Sequence, residues 1–103
     1  MAKNMNKLLK QAQKMQAQMM KAQEDFQKQE FEGTAGGGMV SLKLSGSNEL
    51  VSISINPEAV DPDDVEMLED LIVAAFANAQ EKVKSSSDST FGAITGGLNI
   101  PGL

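Results

Sequence analysis

Six lysines in the first 28 residues share one register. Lys3, Lys7, Lys10, Lys14, Lys21 and Lys28 are separated by 4, 3, 4, 7 and 7 positions. On a helix of ~100° per residue they crowd into an arc of about 60°, with Gln on the flanks. Such a ridge suits a polyanion, because each ammonium group can replace a counterion beside a phosphate. The bland alternative is a solvated face, since amphipathicity alone sends Lys away from an apolar seam. Two features favour the polyanion. Lys alone occupies the centre of the arc, and no Glu is interleaved to form i,i+4 pairs. An anionic lipid surface would need the opposite side of the helix to enter the membrane, and that side has no aromatic residue before Phe26.

Other groupings carry less. Glu58, Asp61, Asp63, Asp64, Glu66, Glu69 and Asp70 lack the glycine and ligand spacing of a calcium loop. No motif places a second carboxylate for glycoside chemistry. These acids suit the positive end of a helix dipole. Gly33-x-x-Gly36-Gly37-Gly38 has no following Lys-Ser/Thr, so a phosphate loop is not expected. The glycines are expected to turn the chain from helix into sheet. Phe26, Phe31, Phe76 and Phe91 are scattered and read as core rather than as a stacking platform for bases. The chain contains no Cys, His, Trp, Tyr or Arg. That removes thiolate and imidazole chemistry, the usual means of small catalytic sites. No enzyme, metal, cofactor or small-molecule substrate is expected.

The lysines need a long helix to position them, and the first segment supplies one. Between Met5 and Phe26 there is no Gly, Pro or β-branched residue, and Gln, Lys, Met, Ala and Leu are good helix formers. Met5, Leu8, Ala12, Met15, Met19, Ala22 and Phe26 recur at steps of 3 and 4, a heptad seam opposite the lysines. A helix over about 4–29 is ~39 Å long. The radius of gyration of a 100-residue globule is only ~13 Å. The helix therefore outruns its own body while its far end stays apolar, which predicts pairing with a second copy. An ordinary core-facing stripe is the alternative for its inner half.

After the glycines, Val40, Leu42 and Leu44 alternate with Ser41, Lys43 and Ser45. Gly46-Ser47-Asn48 marks a turn, and Val51, Ile53 and Ile55 alternate with Ser52 and Ser54. Two period-2 runs around a short loop predict an antiparallel hairpin with one polar face. A weaker third strand is expected in 31–35, because a lone hairpin is marginal. The second helix is expected over 61–84. Asp61 would be its N-cap and Pro62 its first residue, with Val60 and Val65 as a hydrophobic staple. Val65, Leu68, Ile72, Phe76, Ala79 and Val83 would form its buried face. A Gly/Ser-rich tail over 85–103 would follow, helical at most in part.

The 103 residues suffice for one domain. The net charge of −5 conceals a segregation: residues 1–23 carry five Lys and no acid, and residues 24–103 carry four Lys and all fourteen acids. This is a basic arm on an acidic body. No stretch is long enough to span a membrane and no secretory signal is visible, so a cytosol-like compartment is expected.

The order of these features resembles a known family. A Lys/Gln/Met-rich helix and a glycine passage precede Val40-x-Leu42-x-Leu44, Gly46 and Val51-x-Ile53-x-Ile55-x-Pro57. Asp64-Val65-Glu66-Met67-Leu68-Glu69-Asp70-Leu71-Ile72-x-Ala74-Ala75-Phe76 follows, with a closing Leu98-x-Ile100-Pro101-Gly102. This is similar to the YbaB/EbfC family of bacterial nucleoid-associated proteins over nearly the whole chain. The resemblance implies an α+β subunit of order α-β-β-β-α and a tweezer-like homodimer. It also implies non-catalytic DNA binding in the cytoplasm and nucleoid, with a role in nucleoid organisation and gene expression. The chain differs from the usual pattern in lacking Arg and in placing Ser85–Thr90 where relatives commonly carry charged helical sequence.

Two readings follow. In the first, a homodimer binds duplex DNA through Lys3, Lys7, Lys10, Lys14 and Lys21, with weak sequence preference for want of Arg. In the second, a structural dimer binds another protein through its helix seam and polar sheet face. In either, Leu8, Met15, Met19, Val51, Ile53, Ile55, Leu68 and Ile72 are expected in the core or the dimer interface.

Overall fold

The structure, a computed structural model, describes residues 2–98. Its elements are α1 (Ala2–Lys28), β1 (Glu30–Ala35), β2 (Val40–Ser45), β3 (Leu50–Ile55) and α2 (Val65–Leu98), with a 3-10 turn at Pro57–Ala59. The order is α-β-β-β-α, an α+β fold, as the alternation and the resemblance implied. The closing Ile100-Pro101-Gly102 lies outside the described residues.

The strands form an antiparallel sheet in the order β1-β2-β3. Phe31 faces Leu44 and Gly33 faces Leu42 across one ladder; Leu42 faces Ile53 and Val40 faces Ile55 across the other. Because side chains alternate, these residues share one side of the sheet, and Ser41, Lys43, Ser52 and Ser54 share the other. Val40, Leu42 and Leu44 are buried against Ala75, Ala79 and Val83 of α2. Gly33 is not part of the helix-to-sheet passage. It sits in the middle of β1, where a methyl group would overlap the Ala75 carbonyl oxygen and come within 2.6 Å of the Ala79 methyl. Gly36, Gly37 and Gly38, all at positive φ, make the β1–β2 turn, which L-residues with a Cβ adopt at a cost. Gly33→Ala is expected to destabilise the fold by about 1–3 kcal/mol, the usual range for overpacking. Urea denaturation reads this directly, and an unchanged midpoint would mean that the helix can lift from β1 freely.

The start of α2 differs from the expectation. Asp64, not Asp61, is the N-cap, and its carboxylate accepts from the Met67 N–H at 3.2 Å. Asp61 instead closes a turn: its side chain accepts from the Asp63 N–H at 2.9 Å and its carbonyl from the Asp64 N–H at 3.0 Å. Local Asx bonding there satisfies the backbone without helix. With the helix starting late, no staple forms, and Val60 and Val65 are each 53% exposed.

The end of α2 also corrects the expectation. Residues 85–90 are helical and carry α2 on to Leu98. Ser and Thr disfavour helix by only ~0.5 kcal/mol each. Half-buried Ser86, Ser87 and Thr90 prolong the stripe that runs through Ala75, Ala79 and Val83, and Phe91 docks on Phe26 with ring centroids 5.5 Å apart. Tertiary contact outweighs the local preference.

The two free edges of the sheet are unlike. On β1, the Thr34 N–H donates to Asn78 Oδ1 at 3.2 Å, and Lys82 Nζ donates to the Glu32 carbonyl at 2.7 Å. Side chains of α2 thus close that edge. Among the described residues no such cap meets the outer edge of β3, and Val51 and Ile53 are 52% and 43% exposed. Ile55, Leu68 and Ile72 pack against the core. Ile53, opposite buried Leu42, lies on the same side but is left exposed, and a register shift at Lys43/Leu44 pairs Leu44 with Leu50 and leaves Val51 exposed as well.

Candidate nucleic-acid interface

The radius of gyration is 20.5 Å and the longest extent 76 Å, far from the ~13 Å radius of a globule this size. Two long helices account for the excess, α1 of 27 residues and α2 of 34, and in α1 every described side chain from Asn4 to Lys21 is exposed. Uninterrupted helix formers hold this arm straight. It ends where the Gln29 N–H bonds back to the Phe26 carbonyl at 3.1 Å.

Lys7, Lys10, Lys14 and Lys21 stand exposed along one side of the arm. None forms an ion pair among the described residues. Lys3 lies in the first turn, and its side chain is outside the described residues. From Lys3 to Lys14 the helix rises ~17 Å, about half a turn of duplex. The other side carries Met5, Leu8, Met15 and Met19, all exposed, widened by exposed Leu9 and Met20. One helix therefore presents a cationic ridge and an apolar seam back to back.

Glu24 and Asp25 lie on α1 itself, near Lys21, and Asp88 stands at its root; the acids at the start of α2 are remote from the outer lysines. Asp61, Asp63, Asp64, Glu66, Glu69 and Asp70 surround the start of α2, whereas the root of α1 lies beside Ser87 and Phe91. The 22 steps from Val65 to Ser87 measure ~33 Å of helix. That is about four Debye lengths at physiological salt, so the acids at the start of α2 act separately from the outer lysines. Among the described residues, no three acidic, His or Cys side chains are grouped to hold a metal ion. No described helix is long and apolar enough to cross a membrane. A crevice beside Phe26, open to solvent, is lined by Gln23, Gln27, Ser47 and Ser87 among others.

Sequence reasoning passed over two residues of consequence, and for a third, Phe91, it read core but not the helix that carries it. Asn78 and Lys82 bond to backbone 44 and 50 positions away, and no local pattern signals such a pairing. Phe91 did leave a trace. Ala75, Ala79, Val83, Ser87 and Phe91 follow one another at steps of four, which continues the buried face of α2 through the serines.

Comparisons with known proteins agree with this geometry. The model of the YbaB/EbfC DNA-binding family matches residues 1–98. A nucleoid-associated protein of Alkaliphilus metalliredigens (strain QYMF) is 50% identical over 102 residues, covering 99% of this chain and 90% of its own. One from Clostridium acetobutylicum is 52% identical over 100 residues, covering 97% of this chain and 89% of its own. Among solved structures, an uncharacterized protein of Helicobacter pylori superposes with a TM-score of 0.72 at 20% identity, over 85% of this chain and 92% of that one. That likeness concerns the fold alone.

Proposed function

The chain belongs to the YbaB/EbfC DNA-binding family, and on that premise we propose that it is a nucleoid-associated protein that binds duplex DNA as a homodimer. The observation that carries this reading is the unpaired lysine ridge on a projecting arm. Lys3, Lys7, Lys10, Lys14 and Lys21 contact phosphates, three or four per protomer. Phosphate contacts position a protein without reading bases. With no Arg to grip guanine bidentately, sequence preference is weak. Two arms bridge or bend the duplex, which changes its conformation and, through it, nucleoid organisation and gene expression. The protein acts in the nucleoid, without catalysis or cofactor.

The open edge of β3 supports the homodimer. An uncapped, uncharged strand with exposed Val51 and Ile53 is a template for pairing with another strand. A second copy satisfies it once and symmetrically, whereas an unrestricted edge would aggregate. On the side of α2 away from Asn78 and Lys82, half-buried Ile72 and Phe76 add to the apolar surface.

The exposed apolar seam of α1 favours the second reading, an adaptor that engages another protein. Salt separates the two. Six to eight phosphate contacts per dimer predict that DNA affinity falls about 10³–10⁴-fold between 50 and 200 mM salt. An apolar seam is nearly indifferent to that change. Electrophoretic shift at the two concentrations decides between them, and flat salt dependence rejects DNA as the ligand. The same assay tests specificity, because a defined site bound more than about a thousandfold above random DNA would contradict weak readout.

A further inference from the structure

We infer that Phe91 is a positioning residue for the basic arm: its ring, presented by the distal part of α2, holds Phe26 and thereby sets the direction in which the lysines of α1 project. The inference rests on the DNA-binding reading only where it speaks of affinity.

The arm has no lateral support along most of its length, since the described side chains from Asn4 to Lys21 are exposed. Its direction is set in its last two turns. There Ala22 is half-buried, and Phe26 is 5% exposed. Phe26 belongs to the buried cluster that includes Leu44 and Val83, and three further groups bear on it. The Phe31 ring, from β1, lies 5.5 Å away and is tilted by 47°. Gly46, in the β2–β3 turn, lets the backbone pass so close that a methyl there would overlap the Phe26 carbonyl and meet the ring at 2.8 Å. Its N–H also donates to the Gln29 carbonyl at 3.1 Å. Phe91 packs on the ring from α2, 5.5 Å away and edge-on at 71°, a favoured aromatic geometry.

Without the Phe91 ring, that side of Phe26 would open on the crevice lined by Gln23, Gln27, Ser47 and Ser87. Those polar side chains do not replace an apolar wall. Lys7 stands 19 residues beyond Phe26, or ~28 Å along the helix. A rotation of ~10° at the root displaces it by ~5 Å, more than the 3.4 Å axial step between phosphates of one strand. A loosened root therefore keeps every lysine in register on its helix but lets the arm as a whole swing relative to the body and to the arm of a second copy. This also accounts for helix persisting through Ser85–Thr90: that stretch carries Phe91 to the root.

The chain has no cysteine, so spin labels at Gln11→Cys and Glu58→Cys report the angle between arm and body. Dilution into excess unlabelled protein confines the measured distances to one protomer. Phe91→Ala is expected to broaden the distance distribution at least twofold and weaken DNA binding severalfold. The slope of log affinity against log salt stays unchanged, because no phosphate contact is removed. Phe91→Tyr, which keeps the ring edge, restores both. Gly46→Ala, pressing on Phe26 from the other side, shifts the mean distance and carries the test should Phe91→Ala fail to fold. A Phe91→Ala protein that melts at lower temperature with an unchanged distance distribution overturns the inference, as does an unchanged mean distance in Gly46→Ala. If the parent protein binds no DNA, the distance measurement still decides on Phe91, and the failure belongs to the DNA-binding reading.

Discussion

Changing Lys7, Lys10 and Lys14 together to Gln is expected to weaken DNA binding by 10²–10³-fold at about 0.1 M salt, for each arm engaged. The estimate comes from counterion release. Each phosphate neutralised contributes a slope of about 0.9 in log affinity against log salt, so three lost contacts lower it by roughly three. Gln is nearly as good a helix former as Lys, so the arm keeps its shape and loses only charge. All three side chains are exposed and unpaired, and their loss leaves the core untouched. The effect should be the same for every DNA sequence, because phosphate contacts carry no base information. Electrophoretic shift across a salt series measures both affinity and slope. A folded, dimeric variant that binds as well as its parent would mean that the ridge is a solvated face, and the adaptor reading would take its place.

Ile53→Asp is expected to yield a folded monomer, with the dimer weakened more than a hundredfold. Within one chain Ile53 is 43% exposed, so a carboxylate there keeps access to water and the protomer survives. In a two-fold pairing of β3 edges the same position comes near its symmetry mate. Like charges across adjacent strands repel, and an unpaired charge buried at an interface costs several kcal/mol. Sedimentation at micromolar concentration reads the assembly state, and circular dichroism confirms the fold. Retention of the dimer would exclude β3 as its seat and direct attention to the α1 seam, where Leu8→Glu or Met15→Glu would then be the disruptive changes. A compact monomer for the parent protein would reject the homodimer altogether. Loss of the dimer should also halve the salt slope, since one arm remains where two acted.

The sequence determined by itself the features that depend on neighbours a few positions apart. Uninterrupted helix formers specified α1, alternation specified β2 and β3, and the lysine spacing placed the charges on one side of the arm. The resemblance carried by Asp64–Phe76 and its surroundings supplied the order of elements and the family. These are regularities of period and propensity, and they survive without knowledge of what lies across the fold.

Tertiary structure decided what depends on distant partners. Gly33 looked like a helix breaker, but it proved to be the point where α2 lies against β1, which only the Ala75 carbonyl and the Ala79 methyl reveal. Serines at 85–90 looked like the end of a helix, yet the Phe91 ring on Phe26 holds that stretch helical across 65 positions of chain. Asp61 and Asp64 are equally good caps by type, and local Asx bonding left the role to Asp64. Val51 and Ile53 read as core or dimer interface because they alternate; alternation does not say what covers them, and the single chain leaves both exposed. Asn78 and Lys82 closed one edge of the sheet while the other stayed open. That asymmetry depends on where α2 crosses the strands, and it was fixed only when the helix packed.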